Sequence, residues 1–172
     1  MVYKSTSRRR VFISYHHDVD QGYYDEFVLL FDKIYEIVAD RSLDREVDSD
    51  DPEYVMRRIR ENYLKGSSVT IVLCGKETWK RKYVDWEIRA SLGQEMGLIG
   101  VNLPTNPLSP DGKYIVPNRL HDNIVSDYAV WKWSWGKLTG NPDLLTELIE
   151  DALRRDKSLI DNSRATMKRN LP

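Results

Sequence analysis

Short apolar runs recur along the chain, separated by longer stretches in which apolar and polar positions alternate with a different period. The runs are rich in β-branched and aromatic side chains, as strands are, and polar residues or glycines bound them. They predict five strands, at residues 10–15, 35–39, 69–74, 98–103 and 128–134.

Between these runs, apolar side chains recur every three or four residues, which is the period of an amphipathic helix. Asp51-Pro52 has the composition of a helix start, and so has Asn141-Pro142-Asp143. Gly66 and Gly97 are placed to end the second and third helices. Helices are therefore predicted at residues 23–34, 52–65 and 79–96 and from residue 143 onward, with loops at 16–22, 40–51 and 104–123.

The order of strands and helices predicts a mostly parallel sheet covered by helices on both faces. Five strands are the natural size of a flavodoxin-like, doubly wound α/β fold. Such folds bind ligands at the carboxyl ends of their strands. Those ends are expected to carry residues 14–18, residues 40–44, residues 75–79 with the nearby Glu87, and the loop at 104–123.

The length of 172 residues fits one domain with a sizeable core. The net charge of −1 gives no basic footprint for nucleic acid, and no apolar run approaches the roughly 20 residues of a membrane span. A single cysteine, Cys74, excludes an internal disulfide and fits a reducing compartment. We therefore expect a cytoplasmic protein with a flexible N-terminus at 1–9, a domain at 10–155 and a basic tail at 156–172.

The most informative stretch runs from residue 78 to residue 88, directly after a buried strand and Gly75. Thr78 is predicted to cap the helix that starts there. Glu87 falls at the border of its apolar face, near the carboxyl end of a central strand, with Trp79, Tyr83 and Trp86 around it. From the residues alone, a boundary glutamate with its carboxylate in water is the commoner interpretation.

Other chemistries find less support in the sequence. The third strand ends without the aspartate of a phosphoacceptor domain, and neither glycine-rich phosphate-loop motif occurs. The acidic residues from Asp44 to Asp50 lack the glycine and the closing glutamate of a calcium loop, so no metal site is predicted. His16 and His17 are interpreted as part of a polar loop with some ligand contact, and Cys74 as a core residue. Nucleophilic catalysis by Ser14 paired with a histidine stays an alternative, although the G-x-S-x-G motif that commonly presents such a serine is absent.

The C-terminal segment from Arg154 to Asn170 carries six basic and two acidic residues. Contact with nucleic acid or with another subunit is one interpretation. A solvated or docked tail is the preferred one.

Three segments in this order resemble TIR domains: residues 11–15, residues 69–74, and the stretch with Trp79, Tyr83, Trp86 and Glu87. More closely, together with Asn162-Ser163-Arg164 and the basic end, they resemble the TIR-like ThsB family of the bacterial Thoeris anti-phage system. The resemblance covers nearly the whole chain.

Enzymatic TIR domains cleave the nicotinamide–ribose bond of NAD with a glutamate in a W-x-x-x-E type motif. The resemblance places the catalytic role on Glu87, with Tyr83 where the motif usually has Trp. The loop at 40–44 corresponds to one that covers substrate, and it lacks the Gly-Pro often found in receptor-type TIR domains. The substrate-binding residues implied are Phe12, Ser14, Tyr15, His16, Asp40, Arg41, Ser42, Trp79 and Tyr83.

The resemblance further implies that NAD is a substrate, that no cofactor or metal takes part, and that a cyclic ADP-ribose-type product activates a separate effector after phage infection. Two protomers of a homo-oligomer are expected to share a site. The competing hypothesis is a non-enzymatic module that binds a nucleotide or another TIR domain. A pocket that holds Glu87, Ser14 and the loop at 40–44 within reach of one ligand favours the enzyme, whereas a flat and exposed Glu87 favours the module.

Overall fold

The computed structural model describes residues 8–39 and 51–172. Its sheet has four strands, all parallel: β1 Arg9–Ser14, β2 Tyr35–Val38, β3 Ser67–Cys74 and β4 Gly97–Asn102. The spatial order is β2-β1-β3-β4, which is the order of the first four strands of a flavodoxin-like sheet. The predicted parallel α/β architecture is confirmed.

Six α-helices lie in the described ranges, and none of them is both long and apolar enough to cross a membrane. They are α1 His17–Phe31, α2 Pro52–Ile59, α3 Lys82–Gly93, α4 Asn118–Val125, α5 Trp135–Gly140 and α6 Asp143–Arg154. A π-helical stretch, Arg60–Leu64, continues α2, and 3₁₀ turns occur at Thr78–Lys80 and Lys157–Leu159. The start of α2 is as predicted, because the Asp51 side chain accepts a hydrogen bond from the Glu53 amide.

Alternate residues of the strands supply two apolar layers, one on each face of the sheet. On β3, Val69, Ile71 and Leu73 face α1 and α6. Val72 and Cys74 face the other way, toward α3 and α4. The predicted helices on both faces are therefore confirmed, and Cys74 is a fully buried free thiol in the core.

The prediction of a fifth strand is wrong: residues 128–134 run beside β4 but form only isolated bridges with it. Val130 pairs with Ile99, and Ser134 pairs with Asn102. Val130 and Ser134 are four positions apart, whereas their partners Ile99 and Asn102 are three positions apart. The two backbones therefore lose register, and a regular ladder does not form. The Trp131 ring lies over Gly100, where a Cβ atom would come within 2.5 Å of it.

Two predicted loops are partly helical. The polar stretch at 16–22 forms the first turns of α1, with a kink at Asp20, whose side chain is fully buried against Gly75 and Thr78. This tertiary contact outweighs the lack of an apolar pattern. The loop predicted at 104–123 ends early, because α4 begins at Asn118.

The predicted caps of α3 are also wrong. Thr78 lies in the 3₁₀ turn, where its hydroxyl accepts a hydrogen bond from the Gly75 amide at 2.8 Å and donates toward the strand end. The α-helix starts only at Lys82. At the other end, Gly97 begins β4, and Glu95 takes the left-handed conformation (φ 54°) that closes the turn.

Candidate functional site

Glu87 lies inside the molecule, with 2% of its surface exposed, at the carboxyl edge of the sheet. The hydroxyl of Ser14, the last residue of β1, donates to Glu87 Oε1 over 3.4 Å. Ser14 pairs across the sheet with Val72 on β3, so the two groups meet where the strand order reverses. Doubly wound folds bind ligands at this point.

A hydrogen-bond chain fixes α3 on the sheet at the level of Glu87. The Ser91 hydroxyl donates to the Glu87 carbonyl at 2.7 Å, one turn back along the helix. Because that bond uses the only hydrogen of Ser91, the hydroxyl of Thr70 donates to Ser91 at 2.6 Å. This buried link from β3 to α3 fixes where α3 lies along the sheet and which of its sides, including Glu87, faces the sheet.

A small cavity of about 10 Å³ opens beside Glu87. That is about the room for one water molecule. Its walls come from the end of β1, the start of α1 and the start of α3: Tyr15, His16, His17, Arg81, Tyr83, Val84 and Glu87. The structure thus brings together five of the residues singled out in the sequence: Ser14, Tyr15, His16, Tyr83 and Glu87.

The aromatic walls of the cavity are held by their own neighbours. Tyr15 stacks on Tyr24 with ring centroids 4.7 Å apart, and its hydroxyl donates to Gln21 at 2.7 Å. Tyr83 meets Trp86 edge-on at 5.4 Å. These contacts place both rings beside the carboxylate.

Two other aromatic candidates do not line this cavity. Phe12 is fully buried in the core with Val55, Ile59 and Trp86, so its ring has no free face for a ligand in this conformation. Trp79 is half-buried and donates its indole N–H to the Lys76 carbonyl at 3.2 Å. Asp40, Arg41 and Ser42 lie outside the described residues. Their binding roles stay predictions.

Sequence reasoning missed two residues of the cavity, Arg81 and Val84, and it expected some ligand contact from His17 but placed that residue in a loop. Val84 lies three residues before Glu87 on one helix face, so helical spacing could have found it. Arg81 precedes the helix and His17 belongs to the stretch taken for a loop, so no periodic pattern pointed to them.

A second buried carboxyl group, that of Asp20, lies at the same edge of the sheet. Gly75 leaves the room that it occupies, since a Cβ atom there would come within 2.3 Å of Asp20 Oδ2. Burial raises the pKa of Asp20 to about 6, although the nearby hydroxyl groups of Thr78 and Thr105 act in the opposite direction. Asp20 does not line the Glu87 cavity.

The predicted tail is docked against the helix that carries Glu87. Residues 161–171, which we call the strap, contact α3 through backbone and side-chain hydrogen bonds. Met167 donates its amide to Asp85 Oδ2 at 2.8 Å and accepts the Trp86 indole N–H at 2.7 Å. Asn162 donates to the Arg89 carbonyl at 3.1 Å.

A buried ion pair between Asp85 and Arg119 lies beneath the strap and binds it. The Nε–Oδ1 distance is 2.8 Å, and both side chains are almost fully removed from solvent. Arg119 also donates to Asn162 Oδ1 at 3.0 Å and to the Ala165 carbonyl at 3.3 Å. Every charged group of this cluster thus finds partners inside the protein, as buried charges require.

Three larger cavities lie elsewhere among the described residues. One of about 530 Å³ separates the strap from α4, and two of about 280 and 260 Å³ lie beside Trp131 and Lys65. None of these three is lined by Glu87. Among the described residues, no group of three or more His, Cys, Asp and Glu side chains is arranged to hold a metal ion.

Comparison with known proteins agrees with the segments that carry the sequence resemblance. The family described as Thoeris protein ThsB, TIR-like domain, matches residues 12–107, which is more than half of the chain and includes Ser14 and Glu87. No curated protein matches. A solved structure of TIR domains, in the activated Roq1 resistosome directly recognizing the pathogen effector XopQ, aligns over 85% of this chain and 82% of that chain, with 13% identity and a TM-score of 0.40. That likeness is too low to support an argument, and it is the family match that shows that the chain belongs to the ThsB TIR-like domain family.

Proposed function

We propose that this protein cleaves the nicotinamide–ribose bond of NAD and produces a cyclic ADP-ribose-type signal in bacterial antiviral defence. The observation that carries the proposal is the burial of Glu87 beside Ser14 at the carboxyl edge of the sheet. An interaction module needs no carboxylate in a cleft. A glutamate kept out of water costs free energy, and active sites are where such costs are commonly found.

Glu87 supports the reaction by electrostatic stabilisation. When the bond from ribose C1′ to nicotinamide nitrogen breaks, the electron pair leaves with neutral nicotinamide, and the ribose gains oxocarbenium character. A fixed carboxylate beside that ring is favourable in the transition state, where the positive charge develops on the sugar. Ser14 directs its hydroxyl toward one carboxylate oxygen, 3.4 Å away.

The fate of the cation depends on which nucleophile reaches C1′. Water gives ADP-ribose and a proton, whereas a nitrogen or hydroxyl group of the same nucleotide closes a cyclic product. Tyr15 and Tyr83 flank the carboxylate and restrict the access of water to it. An enclosed site of this kind favours the internal nucleophile.

The cavity must widen before a dinucleotide can enter. Its volume is about 10 Å³, whereas small-molecule sites generally measure several hundred Å³. Arg81 precedes α3 and Tyr83 lies in its first turn. Neither residue belongs to the part of the helix that the Thr70–Ser91 hydrogen bond fixes to the sheet. We propose that these walls move on binding, and that Arg81 then meets the diphosphate of NAD.

The remaining features of the proposal follow from the family. They are a cytoplasmic location, a homo-oligomer that shares the site, and a separate effector that responds to the product. NAD is the substrate in this account, without a further cofactor.

Mass spectrometry of the products from NAD tests the proposal, with purified protein and with lysates of phage-challenged cells. The expected products are nicotinamide and a cyclic nucleotide from the wild type, with neither from Glu87→Gln. NAD binding without turnover in both settings, by folded protein, would favour the nucleotide-binding module instead.

A further inference from the structure

The end of the strap holds the backbone on both sides of Arg81. The Leu171 amide donates to the Lys80 carbonyl at 2.9 Å, and Asn170 Oδ1 accepts the Lys82 amide, also at 2.9 Å. Arg81 lies between these two bonds and forms a wall of the Glu87 cavity. Two consecutive tail residues thus fix the position of one wall of the site.

The Lys82 amide has no partner within its own helix, because the first amides of any α-helix lack one. Arg81, at the capping position, does not cap the helix with its side chain. Asn170 therefore takes the place of the capping residue from 88 positions along the chain. Its position determines where α3 starts.

The two ends of the strap differ in how firmly they are held. Residues 161–167 contact the buried Asp85–Arg119 pair and the Trp86 indole. Asn170 and Leu171 are exposed and contribute one hydrogen bond each to the junction before α3. Hydrogen bonds of exposed residues open more readily than those of buried ones, so residues 170 and 171 can release while residues 161–167 stay docked.

We propose that Asn170 and Leu171 are a latch on the substrate site. Engaged, they keep Arg81 and the first turn of α3 against the cavity beside Glu87; released, they let this wall move outward and admit the nucleotide. The inference deepens the proposed function and rests on it for the identity of the ligand. It makes Asn170 and Leu171 positioning residues of the site.

The size of the effect follows from the bonds involved. One exposed hydrogen bond changes an equilibrium by about five-fold, so removing the Asn170 acceptor should raise the open fraction by up to that factor. If only the open state binds nucleotide, the apparent affinity rises in the same proportion.

Three variants separate a latch from a merely structural contact. Asn170→Ala removes the acceptor, and Asn170→Asp keeps it. Lys168→Ala changes an exposed strap residue that makes no hydrogen bond or ion pair within the described residues. Hydrogen exchange of the backbone at residues 79–84 and the KM for NAD are measured in each, together with the labelling of Arg81 by phenylglyoxal, resolved by peptide mapping.

The latch predicts about five-fold faster exchange and faster Arg81 labelling in Asn170→Ala, with a KM lowered by up to five-fold and an unchanged kcat. Asn170→Asp and Lys168→Ala should behave as the wild type. Unchanged exchange and labelling, or a fall in kcat without a fall in KM, would overturn the latch. If the wild type neither binds nor cleaves NAD, the proposed function fails, whereas exchange and labelling still decide whether Asn170 holds the wall.

Discussion

Asp85 and Arg119 form a buried ion pair with an Nε–Oδ1 distance of 2.8 Å. Asp85 lies two residues before Glu87 on α3, whereas Arg119 lies on α4. Arg119 presents a second N–H to the other carboxylate oxygen at 3.4 Å. The pair joins α3, α4 and the strap, because the Met167 amide binds the same carboxylate at 2.8 Å. The helix that carries Glu87 is therefore fixed from both the sheet side and the tail side.

Removal of one partner from this pair should destabilise the protein strongly. We expect Asp85→Ala to lower the free energy of unfolding by about 3–5 kcal/mol, because Arg119 is then left buried without its counter-charge. Urea unfolding followed by circular dichroism measures the change. Lys132→Ala is the matched control: its ion pair with Glu147 has the same 2.7–2.8 Å contact but is half exposed, so the loss should stay below about 1 kcal/mol. Equal losses in the two variants would contradict the role given to Asp85.

Gly100→Ala tests the contact that replaces a fifth strand. A methyl group at this position would come within 2.5 Å of the Trp131 ring and 3.0 Å of Leu120, so one of them must move. We expect a loss of about 1–3 kcal/mol in the free energy of unfolding. Gly136→Ala, in α5 with nothing within 4 Å of the new methyl, should be neutral or stabilising. A tolerated Gly100→Ala would show that Trp131 does not cover β4 as described.

Asp20 should make stability depend on pH in a direction opposite to that of most carboxylates. Burial raises its pKa from 3.8 to about 6, so the folded state binds the proton more tightly than the unfolded state does. This contribution to stability is complete below the unfolded pKa and is lost as the pH rises through the folded pKa. Between pH 4 and pH 6 the wild type should therefore lose stability relative to Asp20→Asn.

Urea unfolding at several pH values compares the two proteins. The difference between their free energies of unfolding should change across this window and level off above it. A constant difference from pH 4 to pH 7 would mean that Asp20 has the same pKa in both states.

The order of the elements could be predicted because each has a local pattern. The apolar run of β3 and the Asp51-Pro52 start of α2 depend on neighbours in sequence, and both appear where expected. The first turns of α1 could not be predicted, since a contact from Asp20 to Gly75 and Thr78, far away in the chain, decides their position. The fifth strand failed for a related reason: its composition was right, but its register with β4 depends on both segments together.

In the candidate site, too, features set by local sequence patterns could be predicted, and features set by contacts between distant residues could not. The pairing of Glu87 with Ser14 follows from two elements whose carboxyl-edge positions the sequence predicts, once the parallel order is known. The side-chain neighbours on the helix, Val84 and Tyr83, follow from spacing. The capping of α3 by Asn170 has no sequence signature, because the bond joins residues at a separation that no local rule covers.

The rate of nicotinamide release from NAD by the wild type, Glu87→Gln and Glu95→Gln decides whether the Glu87 carboxylate supports the cleavage. Both variants make the same chemical change, but Glu95 is exposed just beyond the end of α3. We expect a loss of at least about 100-fold in Glu87→Gln, the order expected when a transition-state stabilising group is removed, and a wild-type rate in Glu95→Gln. Release that survives in Glu87→Gln, with the variant folded as the wild type is, would contradict the assignment of this carboxylate as the group that cleaves the bond.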